Sequence, residues 1–176
     1  MPMELEAKFR VSDFRQVRRA LKAAGATYRG TASERDVFFD TPARDLFRNG
    51  RGLRLRQVKM LRSTAGGKKS GWLLTSKGPI KRGSRVKARR EVQTAVADGL
   101  AIKDILAAAG LVEFVGLTKR RASYRLGNCL IELDEVPKLG RFVEIEGPTQ
   151  RTIEAARKKL HLPDEPITAS YLRMIN

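Results

Sequence analysis

Apolar and polar positions alternate with a period of two over most of this chain, and charges of both signs fall on the polar side. In the opening string MELEAKFRV, Leu5, Ala7 and Phe9 share one face of an extended strand, while Glu4, Glu6 and Lys8 share the other. This strand is predicted over about residues 3–11, and similar alternation predicts further strands near 33–40, 52–61, 71–77, 84–95, 112–126, 129–136 and 141–147. A helical period interrupts them. Ser12 is expected to cap a helix running to about Ala24, with Phe14, Val17 and Leu21 on one stripe and Gly25 as its stop. Asp98 is expected to cap a second helix, to about Ala109, that buries Leu100, Ile105 and Leu106. A third starts after Pro148-Thr149, and the tail PITASYLRMI holds a last helical turn. Pro42 and the turn signal Asn49-Gly50 mark the link DTPARDLFRNGRG. There is no internal repeat. About eight strands with few helices predict an α+β fold, an antiparallel barrel or tunnel rather than a doubly wound sheet, as one domain over residues 1–176.

Sorting the strand faces gives a second pattern. Arg54 and Arg56 share a face, as do Thr75 and Lys77, and Lys119 and Arg121. Arg85, Lys87, Arg89, Glu91 and Gln93 line one face of a further strand. Glu132 and Asp134 align, and Phe142, Glu144 and Glu146 align on the last strand. For any single strand, a wet face decorated with charge is ordinary. Jointly, carboxylates gather on the first and last strands and cations on the middle ones. Closing the sheet would bring its two ends together, giving a polar interior with an acidic wall and a basic wall.

Lys and Arg number 36 against 19 Asp and Glu, a net charge of +17. An anionic partner follows, but not which one: nucleic acid, a nucleotide, polyphosphate and an acidic protein all fit. Hydrophobic residues make up 41% of the chain, too many for a disordered basic tail. No run approaches the roughly 20 apolar residues of a membrane span, and the charged N-terminus lacks a signal-peptide core, so a cytoplasmic protein without membrane contact is expected. Cys129 is the single cysteine, which excludes an internal disulfide or a cysteine metal cluster and suits a small core residue. The RSTAGGKKS stretch is not a P-loop, because Lys69 stands where Ser or Thr is required and Arg62 replaces the first Gly. His161, at the end of the third helix, suits a surface or capping role, and Trp72 suits core or rim packing.

The acidic and basic walls have a chemical meaning. Mg²⁺ and Mn²⁺ want carboxylate oxygens and keep water or substrate phosphates as further ligands. Arg and Lys bind the remaining phosphate oxygens. Buried cations in this number repel one another unless a polyanion compensates them. A triphosphate with its metal is the ligand expected in such a tunnel.

These residues resemble the CYTH, or triphosphate tunnel metalloenzyme, superfamily. Glu4-Leu5-Glu6-Ala7-Lys8 is similar to its ExExK signature, and the resemblance continues in order through ERDVFFDTP, GLRLRQ, LTSKG, RREVQ, LTKRRASY and LDEVPKLGRFVEIEG. It implies an eight-stranded antiparallel tunnel that binds a triphosphate inside. By matched position, Glu4, Glu6, Glu144 and Glu146 would ligate metal, with Asp134 a further ligand or an anchor for metal-bound water. Lys8, Arg54, Arg56, Lys77, Lys87, Arg89, Lys119 and Arg121 would grip phosphate oxygens, and all of these but Lys87 and Arg89 are the catalytic candidates. Glu91 and Glu132 would orient neighbouring cations rather than touch ligand. Many relatives carry Tyr where this chain has Phe38-Phe39, so no role for a tyrosine hydroxyl transfers there.

The C-terminal string LDEVPKLGRFVEIEG, after the helix ADGLAIKDILAAAGL, looks most like the class IV adenylyl cyclase branch. The implied reaction is conversion of ATP to cyclic AMP and pyrophosphate with Mg²⁺ or Mn²⁺. Its competitor is hydrolysis of inorganic triphosphate (tripolyphosphate), thiamine triphosphate or a nucleoside triphosphate. A non-catalytic polyanion or RNA-binding module is the third reading, although paired glutamates repel a bare polyanion, so nucleic acid is not the expected partner. Class IV relatives imply a homodimer.

Overall fold

A computed structural model describes residues 3–64, 69–80 and 86–175, with Glu4 described by its backbone alone. Eight strands are found: β1 (Met3–Val11), β2 (Thr27–Asp40), β3 (Gly52–Ser63), β4 (Gly71–Lys77), β5 (Lys87–Val96), β6 (Val112–Leu126), β7 (Cys129–Val136) and β8 (Gly140–Glu146). They close into an antiparallel barrel in the order β1-β5-β4-β3-β2-β6-β7-β8, with β8 paired back onto β1. The helices α1 (Arg15–Ala23), α2 (Asp45–Arg48), α3 (Gly99–Ala108), α4 (Gln150–Lys159) and α5 (Tyr171–Met174) lie between and after the strands. None of the helices is long and apolar enough to cross a membrane.

Closure explains the alternation. The apolar faces of the strands turn outward under the helices, and the charged faces turn inward. Ala7, Phe9, Ile131, Leu133, Val143 and Ile145 form one outer core beneath α1 and α4, which add Val17, Leu21, Ile153 and Ala156. Val37, Phe39 and Leu55 form another, packed by Trp72, Ile102 and Leu106 beneath α3. Trp72 therefore packs an outer wall, its ring so close to Gly99 that any Cβ there would collide with it.

Several boundaries differ from the expected ones, each for a local reason. Helix α1 begins at Arg15 with Phe14 as its N-cap, and Ser12 makes no cap. Asp13 instead accepts from the Arg15 amide at 2.7 Å. Strand β2 starts at Thr27, six residues before the alternation becomes readable, and a bulge near Gly30 carries the early segment. At Gly30 the left-handed φ of 130° and a close Arg62 carbonyl leave no room for a side chain. Asp98 does cap α3, accepting from the Leu100 and Ala101 amides. Leu100 and Ile105, however, are 64% and 60% exposed, because the half-buried Ile102 and Leu106 turn toward the core. The short α2 lies in the link expected to be a turn; the Asp40 carboxylate accepts from the Leu46 and Phe47 amides, both at 2.9 Å, and nucleates it. The expected residues 84–85 of β5, Arg85 included, lie outside the described residues.

Candidate active site

The barrel holds a cavity of about 1170 Å³. Register decides what lines it, because residues directly opposite in an antiparallel pair share a face. Glu6 faces Glu146 and Lys8 faces Glu144 across β1 and β8. Glu34 faces Lys119 and Asp36 faces Arg56 across β2 and its neighbours. Arg121 faces Asp134, and Lys77 faces Glu91. Of the residues singled out from sequence, Glu6, Lys8, Arg54, Arg56, Lys77, Arg89, Lys119, Arg121, Glu144 and Glu146 line the cavity. Glu4 sits in β1 with Arg89 as its Cα partner, and its side chain lies outside the described residues. Lys87 and Asp134 are buried in the wall behind the lining.

Arg121 is the hub of the interior. Its Nε donates to Asp134 Oδ1 at 2.6 Å and Nη2 to Asp134 Oδ2 at 2.5 Å, while Nη1 donates to Glu132 and Nη2 also to Glu144. Asp134 also accepts from Lys119 and from the Tyr171 hydroxyl, each at 2.9 Å. Burial pushes the Asp134 carboxyl up, but Arg121 and Lys119 outweigh it and hold the group below the usual carboxylate range. All its oxygens are engaged, so it anchors the wall. A second cluster centres on Arg56, whose Nε and Nη2 grip Asp36 at 2.6 and 2.7 Å while Nη1 meets Glu34 at 2.7 Å. Burial raises the Asp36 carboxyl; Arg56 and Arg54 more than offset that and lower it.

The other positions are looser. Glu6 has Lys87 at 3.2 Å and Arg89 at 3.8 Å. Lys8 meets Glu144 at 3.0 Å and stands 3.4 Å over the Tyr171 ring. Arg54 is buried, donating to Thr75 at 3.2 Å with Asp36 at 3.8 Å, while its Nε has no hydrogen-bond partner among the described residues. Burial first, and Arg56 second, lower its affinity for its proton. A buried guanidinium with a free donor, facing a cavity, suits an anionic oxygen.

Sequence reasoning passed over Glu34, Asp36 and Tyr171. The first pair was detectable: in ERDVFFD they alternate on the same period-two face as the residues singled out elsewhere. Tyr171 gave no such signal, because it reaches the interior from the C-terminal segment, whose Ile167 amide bonds the Lys8 carbonyl at 2.7 Å.

The carboxylates fit a hard divalent cation in kind, offering oxygen donors only. Glu6 and Glu146, directly opposite on one face, repel unless a positive charge stands between them. Among the described residues, no three Asp, Glu, His or Cys side chains are grouped as a metal site, since Glu6 and Glu144 are drawn onto Lys87 and Lys8. Metal binding there would displace these lysines.

Such a barrel, with inward cations and facing glutamates, defines a class. The CYTH domain model matches residues 2–169, and the chain belongs to that family. It is 26% identical over 144 residues to "Putative adenylate cyclase MJ0240" of Methanocaldococcus jannaschii, covering 82% of this chain and 76% of that one. Among solved structures, a protein described as a putative adenylate cyclase from Vibrio parahaemolyticus superposes with a TM-score of 0.82 at 23% identity, covering 98% and 97% of the two chains. One from Hippeastrum, described as a putative adenylyl cyclase with a dominant triphosphatase activity, gives 0.71 at 22% identity over 97% and 94%. The last two likenesses speak for the fold.

Proposed function

We propose that this protein is a divalent-metal-dependent enzyme that cleaves a triphosphate inside the barrel, and that its reaction is cyclisation of ATP to cyclic AMP and pyrophosphate. The observation that carries the reading is the buried Arg54, with a free Nε donor, beside a cavity that also exposes Glu6 and Glu146. An oxyanion satisfies the first, and the facing carboxylates offer oxygen donors to a cation.

In this reading Arg54, Arg56, Lys77, Arg89 and Lys8 grip phosphate oxygens from the cavity wall. Lys119 and Arg121 keep their ties to Asp134 and supply positive potential from the cavity wall. Glu6, Glu144 and Glu146 would hold Mg²⁺ or Mn²⁺, with Glu4 completing the set by its place in the motif, while Asp134, its oxygens already engaged, holds Lys119 and Arg121 in position. The metal would neutralise phosphate charge and polarise the phosphoryl oxygens. In cyclisation the ribose 3′-oxygen attacks the α-phosphorus, its proton leaves, and pyrophosphate departs with the charge that the Arg and Lys side chains stabilise. The cavity volume of about 1170 Å³ exceeds what a triphosphate alone requires and leaves room for a nucleoside.

Hydrolysis is the second reading, favoured by the dominant triphosphatase activity described for the Hippeastrum neighbour. Water then replaces the 3′-oxygen and attacks the terminal phosphorus. The test is incubation with ATP, tripolyphosphate and thiamine triphosphate, each with Mg²⁺ and with Mn²⁺, and chromatography of the products. Cyclic AMP with pyrophosphate is the expected result. Orthophosphate with a diphosphate product transfers the assignment to hydrolysis, and no cleavage of any of the three refutes both.

A further inference from the structure

The net charge does not reside where the site needs it. Eight cations (Lys8, Arg54, Arg56, Lys77, Lys87, Arg89, Lys119, Arg121) meet eight described carboxylates (Glu6, Glu34, Asp36, Glu91, Glu132, Asp134, Glu144, Glu146) in the barrel interior. Removing eight from each of the totals of 36 and 19 leaves 28 cations and 11 acids, so the whole excess of +17 lies elsewhere in the chain. Setting aside the rim residues Arg48, Arg51, Lys69 and Arg173 still leaves +13. A triphosphate in the tunnel does not account for it.

Part of this excess sits on the two helices that cover one apolar core. Helices α1 and α4 cover the same apolar core, burying Val17 and Leu21 from one and Ile153 and Ala156 from the other. Their outer sides present Arg19, Lys22, Arg151 and Lys159, all exposed. Among the described residues no carboxylate stands within ion-pair distance of these four, because Asp13 is taken by Arg15, and Glu154 and Asp164 by Arg157. We infer that the outer sides of these two helices dock the phosphodiester backbone of a nucleic acid.

The alternatives fit less well. A lipid surface is gripped by apolar side chains inserted beside the cations, and a protein partner needs an apolar or aromatic centre. Among the described residues the exposed large hydrophobic ones are Met3, Leu61, Val92, Leu100, Ile105 and Val112, and none belongs to α1 or α4. A phosphate backbone needs only spaced cations and polar donors.

The test uses a short DNA duplex and the matching single-stranded RNA, both with 5′-hydroxyl ends so that neither carries a triphosphate. Binding to the whole protein is followed by fluorescence anisotropy as salt is raised. Affinity should fall steeply with salt and be indifferent to sequence, and the duplex and RNA arms identify the polymer. The double variant Arg19→Glu/Lys22→Glu should weaken binding about tenfold or more and flatten the log–log salt slope by about 2. Arg35→Glu/Lys59→Glu makes the same change of net charge on exposed positions of β2 and β3, and should cost much less. Tripolyphosphate at concentrations that saturate turnover should not displace the polymer, and turnover in Arg19→Glu/Lys22→Glu should be unchanged. Equal losses from both double variants, displacement by tripolyphosphate, tighter binding to anionic vesicles than to either polymer, or no binding at low salt would each overturn the assignment. The inference does not rest on the tunnel chemistry, so it can fail while that stands, and the reverse.

Discussion

On the β2–β6–β7 side of the barrel, carboxylates and guanidinium groups are locked in bidentate pairs: Asp134 with Arg121, Asp36 with Arg56. On the β1–β5 side the contacts are longer and single, with Glu6 at 3.2 Å from Lys87 and 3.8 Å from Arg89. The same residue types serve two purposes. A buried charge without its partner costs several kcal/mol, so the locked side must stay paired for the barrel to stand. The loose side has weaker commitments and can exchange a lysine for a metal or a phosphate oxygen. Composition alone does not separate the two, but pairing geometry does.

The largest expected effect breaks the locked side. Arg121→Met removes the hub and leaves Asp134, Glu132 and Glu144 repelling one another in a buried wall. Stability should fall by about 3–5 kcal/mol, read as a lower urea midpoint. On the loose side, Glu146→Gln should leave the urea midpoint nearly unchanged while metal-dependent turnover falls about 100-fold or more. Glu4→Gln should behave alike. Near-normal turnover in both on a confirmed substrate would remove the glutamates from the metal site. Equal destabilisation by Arg121→Met and Glu146→Gln would erase the distinction between the sides.

Asp36 sharpens the comparison through pH. Burial raises its carboxyl and the two arginines lower it further, so its folded affinity for a proton is below that of the unfolded chain. Its contribution is therefore complete above about pH 4, where the unfolded group is also ionised, and is lost as pH falls through the lower, folded value. Asp36→Asn should cost about 2 kcal/mol at neutral pH and make the acid limb of the stability profile shallower. An unaltered acid limb would show that Arg56 does not depend on this partner.

The fold was largely legible because closing the barrel turns a period of two into an inside and an outside. Every strand carrying a charged stripe was readable from that stripe. Segments held by tertiary contacts were not. The start of β2 lacks alternation and is specified by pairing on both sides. Helix α2 depends on Asp40 reaching across six and seven residues, a contact no local propensity encodes. Within the site, alternation could nominate Arg56 and Arg121 but not tell them from Arg54, whose free donor exists only in three dimensions. The identity of Asp134 as a wall anchor rather than a lining residue likewise depends on what covers it from the cavity side, including Tyr171.

Tyr171 gives a smaller effect on the same comparison. Its hydroxyl donates to Asp134 at 2.9 Å and its ring packs on Phe142 at 5.2 Å. Tyr171→Phe keeps the ring and the Lys8 contact but removes one donor from a carboxylate that has Arg121 and Lys119 besides. A loss of about 1 kcal/mol is expected, seen as a thermal shift of a few degrees. A loss as large as that of Arg121→Met would mean the C-terminal segment, not the arginine, holds the locked side together.

The least effect belongs to the outer surface of α3, where Leu100 and Ile105 depart from the expected buried stripe and Leu106 keeps to it. Leu100 and Ile105 were expected inside because they fall near the apolar period, yet both project to solvent, and the half-buried Ile102 and Leu106 meet Trp72 and Leu55 instead. Burial, not hydrophobicity, sets the cost of truncation. Leu100→Ser and Ile105→Ser should each change stability by about 0.5 kcal/mol or less, whereas Leu106→Ala should cost about 2 kcal/mol. Urea denaturation of the three variants decides it. Comparable losses at Leu100 and Leu106 would mean that α3 is covered on its outer side in solution, and the outward turn of these two residues would then mark an interface rather than a free surface.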